Sequence, residues 1–138
     1  MASQVRKVNY CKLMLPSRAG QGIKVLNAMR DAGVSLLAFT GFPTGAGKSQ
    51  VDLVADSLGA VRRVASRKGW KVSAAKRAFL IHGDDKVGAV AQVLGRLARA
   101  GINVTAADAV SAGKRRYGMI LWVKPRDYGR AAKALGAK

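Results

Sequence analysis

The chain has 138 residues, 49% of them hydrophobic and 23% charged, which excludes a disordered chain and fits one globular domain or two very small ones. Its 25 lysines and arginines against seven acidic residues, all Asp, leave a net charge of +18, so an anionic partner is expected. One cysteine and one histidine exclude an intrachain disulfide and a Cys/His zinc site and leave little for Cys-His nucleophilic catalysis.

The first ten residues contain no apolar signal core, and no apolar run approaches the length of a membrane span, which predicts a cytoplasmic protein. The first strand is expected over Tyr10 to Leu15, where Cys11, Leu13 and Leu15 share one face. A helix begins near Pro16-Ser17 and stops at Gly33. Two strands follow, Val34 to Phe42 and Ser49 to Ala55, then a helix from about Ser57 to Lys68 and a short strand from Trp70 to Ser73. The same order then restarts. A strand over Ala78 to His82 leads into a helix carrying Val87, Val90, Leu94 and Leu97 at helical spacing, with Asp84 or Asp85 as its cap and Gly101 as its stop. Strands over Ile102 to Val110 and Tyr117 to Val123 and a helix from Arg126 to Leu135 complete the chain, and the three residues after it are too few for a last strand.

The two passages are copies of one another. Ala32-Gly33-Val34 lies on Ala100-Gly101-Ile102 at an offset of 68, and Gly20 then meets Gly88 and Val25 meets Val93. Placing Val51 and Leu53 on Gly118 and Ile120 lowers the offset to 67, which implies a shorter turn in the second copy. The fold class is α+β, with two ferredoxin-like β-α-β-β-α-β repeats over residues 1–74 and 75–138, the second lacking its last strand.

Gly45-Ala46-Gly47-Lys48-Ser49 ends like a phosphate-binding loop. Phe42 stands where that pattern requires glycine, and the residues that follow alternate like a strand, so a glycine-rich hairpin turn is the reading. Lys114 to Trp122 approximates the signature of an RNA-recognition motif, with Tyr117 and Phe79 as stacking rings, although Arg116 and Met119 depart from it. In the 67 register, Tyr117, Met119, Leu121 and Val123 line the sheet face away from the helices. Basic residues of the closing helices, such as Arg62, Arg63, Arg126 and Arg130, read as solvated faces. Cys11 reads as a small buried hydrophobe and His82 as a polar strand end.

Asp84-Asp85-Lys86-Val87-Gly88, closed by Ala100-Gly101-Ile102-Asn103-Val104, resembles the ACT domain, marked by an Asp-x-x-Gly turn into a first helix and an Ala-Gly-Ile-Asn-type step onto the second strand. Copy one follows the pattern more loosely, with Ser17-Arg18-Ala19-Gly20 for the acidic turn and Ser35 for the Asn. The resemblance implies a non-catalytic sensor that binds an amino acid or similar small carboxylate where two domains meet. By position the contacts are Asp85, Lys86, Gly88 and Asn103, with Gly20 and Ser35 as copy-one counterparts, and no metal or cofactor takes part. The chemistry fits: a helix N-terminus offers N–H groups to a carboxylate, Asn103 offers a donor and an acceptor, and Asp85 faces an ammonium. Gly88 in tight helix-sheet packing and Asn103 capping a turn is the structural alternative. The expected partners are a small-molecule ligand and a second copy in a homodimer. RNA or DNA bound through basic helices and the Tyr117 sheet is the alternative, and an enzyme using Asp84, Asp85 or Asp108 with a metal is a third reading.

Overall fold

A computed structural model describes residues 3–138. The elements run β1 (Gln4–Pro16), α1 (Gln21–Asp31), β2 (Ala38–Gly45), β3 (Lys48–Val54), α2 (Leu58–Lys68), β4 (Lys76–Asp84), α3 (Ala89–Arg99), β5 (Val104–Ser111), β6 (Arg116–Val123) and α4 (Tyr128–Leu135), with a 3-10 turn at Pro125–Asp127 before α4. They form two compact units. The N-terminal unit is Asn9–Lys76, and the C-terminal unit is Arg77–Lys138 together with the described residues up to Val8. The division falls between Lys76 and Arg77, and the first strand is split, its opening residues belonging to the second unit.

In the N-terminal unit the strands lie in the order β2-β3-β1, antiparallel, with Leu13 opposite Val51 and Cys11 opposite Leu53. Alternation puts Cys11, Leu13 and Leu15 on one face, where they meet Val25 and Met29 of α1 and Val61 and Val64 of α2 in one core. Burial raises the pKa of the Cys11 thiol, which suppresses the reactive thiolate and leaves an apolar filler. Gly33, at φ +71, ends α1 in a left-handed conformation that disfavours other residues. The strand expected over Trp70 to Ser73 is a single bridge, Val72 to Leu13, held by the Lys12 amide donating to Ser73 Oγ at 2.9 Å.

In the C-terminal unit the order is β1-β4-β6-β5. Gln4–Val8 thus stands beside β4 in the place of the last strand that this copy lacks, so that side of β4 is covered. The core unites Phe79 and Ile81 of β4, Val93 and Leu97 of α3, and Tyr128 and Ala131 of α4. Phe79 stacks on Tyr128 with ring centroids 4.4 Å apart, Arg77 lies over the other ring face at 4.1 Å, and the Tyr128 hydroxyl donates to the Ala78 carbonyl at 2.8 Å. Burial pushes the Tyr128 phenol up, with the Arg77 charge opposing it. Two arginines satisfy helix-end carbonyls across α3 and α4: Arg130 donates to Ala100 O at 2.7 Å, and Arg96 to Leu135 O at 3.4 Å. These charges serve the fold.

The register corrects one expectation. Ile81 pairs with Met119 and Phe79 with Leu121, as Leu13 pairs with Val51 and Cys11 with Leu53. The strand offset is therefore 68, and Val51 and Leu53 correspond to Met119 and Leu121 rather than to Gly118 and Ile120. The missing residue lies between strand and closing helix, where buried Val61 and Val64 correspond to Tyr128 and Ala131. A slip of one residue exchanges the two faces of a strand. Tyr117, Met119, Leu121 and Val123 accordingly face the helices within the core, and Ile120 and Trp122 on the other face are buried as well.

Candidate functional site

Where α1 begins, the N-terminal unit carries a groove of about 470 Å³, lined by β1 and β3 (Leu15, Ser49, Val51), the turn Pro16 to Ala19, the first residues of α1 (Gln21, Gly22) and β2 (Phe39, Gly41, Phe42, Pro43). The volume is in the range of small-ligand sites. Gly20 caps α1 at φ +86, with no side-chain hydrogen bond to the helix end and no acidic residue in the first turn. The positive end of the helix dipole is therefore not answered by an acid of its own first turn. Ser49 Oγ donates to Ser17 Oγ at 3.0 Å, and the Ser17 amide donates to Gly47 O at 2.8 Å, which fixes the turn against the hairpin. Among the described lining residues, Arg18 carries the charge. Phe39, 38% exposed, gives the groove an aromatic side, whereas Phe42 pairs with Gln50 and projects with Asp52 to the opposite face of the sheet. The groove is thus lined by one cation and by apolar side chains.

The equivalent place in the C-terminal unit is filled. By cross-strand pairing, Leu15 and Ser49 correspond to Gly83 and Tyr117. The Tyr117 ring is 3% exposed, and its hydroxyl is hydrogen-bonded to Ser3 Oγ. A Cβ on Gly83 would come within 3.1 Å of Tyr117 Cε1 and 2.8 Å of Ser3 Oγ, so glycine is what makes room for the ring. The turn before α3 carries a polar network. Arg116 donates to Asp84 Oδ1 at 2.7 Å and lies 2.9 Å from His82 Nδ1, and Ser111 Oγ donates to Asp85 Oδ2 at 2.7 Å. The Arg116 guanidinium lowers the Asp84 pKa.

These contacts replace the expected capping of α3 by Asp84 or Asp85: the cap is Gly88, at φ +83, without a side-chain bond. No atom lies within 4 Å of a Cβ built on Gly88 or Gly20, so both glycines are required by their backbone angle, and the tight-packing alternative fails for them. Asp85, Lys86 and Gly88 share one exposed turn, while Asn103 lies beyond the other end of α3. Eleven residues of helix put about 16 Å between those ends, so the unit does not bring all four together. Gly20 and Ser35 are separated by α1 in the same way. In the sequence Ser49 reads as the end of a glycine-rich hairpin turn, Phe39 as one residue of a strand, and Ser17 and Arg18 as a weakened motif, so none of them marks a groove.

The RNA-recognition reading loses its platform, because Tyr117 and Phe79 are both buried against helices. Among the described residues no three His, Cys, Asp or Glu side chains come together to hold a metal, and no helix is long and apolar enough to cross a membrane.

The family model for the ACT domain matches residues 78–137, a little under half of the chain. Among solved structures, the chain is similar to protein BT0572 from Bacteroides thetaiotaomicron, with a TM-score of 0.79 and 15% identity over 97% of this chain and 88% of that one. It is also similar to the ligand-free regulatory subunit of aspartate kinase from Thermus thermophilus (TM-score 0.63, 15% identity, 99% and 95% covered). The regulatory subunit of aspartate kinase from Thermus flavus is a further likeness (TM-score 0.61, 16% identity, 99% and 95% covered). At these identities the likeness is one of fold. No curated protein matches the chain.

Proposed function

We propose that the chain is a tandem pair of ACT-like units acting as a non-catalytic regulatory protein, whose ligand is an amino acid or similar small carboxylate. The observation that carries this reading is the groove at the start of α1, where Arg18, the Ser17-Ser49 hydroxyl pair and an uncapped helix N-terminus lie beside apolar walls. Hydrogen bonds from charged donors contribute about 1.5–3 kcal/mol each, so Arg18 supplies the largest polar share. The ACT match over residues 78–137 and the fold shared with aspartate kinase regulatory subunits support a regulatory role. Asp85, Lys86 and Gly88 join Asn103 in this proposal only when a second copy presents its Asn103 to the α3 turn, which makes a homodimer the assembly that uses them. The α1 groove needs no second copy.

A thermal-shift screen of amino acids and small carboxylates, with short RNA and DNA included, tests the reading, since a ligand of the folded state raises the melting point by mass action. The expected result is a saturable rise with a carboxylate and a shallow salt dependence. A rise with nucleic acid alone, falling steeply with salt, contradicts it.

A further inference from the structure

We propose that the α1 groove selects carboxylates without an ammonium group, such as 2-oxo acids and aryl or alkyl carboxylates, over the corresponding amino acids; this rests on the carboxylate-site reading above. The two units differ at the position that decides it. Where the α3 turn carries the carboxylate of Asp85, the α1 turn carries Ser17, whose hydroxyl is engaged with Ser49 at 3.0 Å. The charge lining the groove is the cation of Arg18, and the first turn of α1 has no acid. The acidic residue nearest in the β3 sequence, Asp52, lies on the opposite face of that strand from Val51 and Leu53 and bonds there with Thr40 and Gln50. A ligand ammonium would enter beside Arg18, in a protein of net charge +18, with no lining carboxylate to receive it. Losing hydration without a counter-charge is costly for an ammonium, far less so for an uncharged keto group, and absent for a methylene. Phe39, Leu15 and Val51 then receive the apolar body.

The test uses pairs that differ only by the ammonium: 3-phenylpropionate against L-phenylalanine, and 4-methylpentanoate against L-leucine, titrated calorimetrically into the full chain. The expected result is binding of at least one deaminated acid, its amino acid at least tenfold weaker, and at least a tenfold loss in Arg18→Gln. Ser17→Asp, which restores the carboxylate of the other turn, is expected to narrow or reverse the preference. An amino acid binding as tightly as its deaminated partner overturns the selectivity and leaves the carboxylate site standing. Binding of none of the four at millimolar concentration, or binding that Arg18→Gln does not alter, overturns both.

Discussion

The two units use one backbone plan to opposite ends at one pair of positions. Opposite Leu15 the N-terminal unit has Ser49, small enough to leave a groove. Opposite Gly83 the C-terminal unit has Tyr117, whose ring fills the same place beneath the tie to Ser3. A side-chain exchange on a shared strand therefore converts a candidate ligand site into core, and the residue across the pair adjusts to match. The unit whose turn resembles the ACT motif more fully is the one in which this place is filled.

The sharpest way to break the comparison is Tyr117→Ala. Removing a buried aromatic ring costs about 3–5 kcal/mol, read as a drop in denaturant midpoint, whereas Ser49→Ala at the equivalent position should change stability by under about 1 kcal/mol. Equal costs would mean that the two positions are not equivalent. Gly83→Ala comes next, with about 1–3 kcal/mol lost because Ser3 or the Tyr117 ring must shift. Ser49→Tyr should transfer the plug to the other unit, lowering carboxylate affinity at least tenfold, or about 1.4 kcal/mol, with the fold retained by circular dichroism. Gly20→Ala and Gly88→Ala should each cost about 1 kcal/mol, and alike, because both sites have the same positive φ and open space around them. An unequal pair would show that one glycine has a packing role after all.

The smallest effect is a pH dependence confined to the C-terminal turn. Arg116 depresses the Asp84 pKa, so the pair's contribution is present above the ordinary carboxylate pKa of about 3.9 and is lost as pH falls through the lower folded value. In an NMR titration, Arg116→Ala should raise the Asp84 midpoint. An unchanged midpoint would remove Arg116 as the cause.

The helices and most strands were legible because local patterns determine them. Cys11, Leu13 and Leu15 alternate and are buried, and Gly33 and Gly101 end helices at positive φ as their positions imply. The register of β6 was not legible, for a physical reason: Met119 to Val123 are apolar on both faces, so alternation cannot say which face meets the helices. Pairing with β4 decides it, and pairing is a long-range property. The same applies to Gln4–Val8, where Val5 and Val8 are three apart and do not alternate; their place as a strand depends on the vacant side of β4. The α3 turn was visible as a motif. The α1 groove was not, because it is created by a serine where the other unit has a tyrosine, and that equivalence appears only in the correct register.

The account is tested most directly by mapping backbone amide shifts while 3-phenylpropionate is added to the protein. It predicts saturable changes concentrated at Arg18, Gly20 to Gly22, Phe39 and Ser49. Changes confined to the Asp84–Gly88 turn or to the basic faces of α2 and α4, with the start of α1 silent, would contradict it.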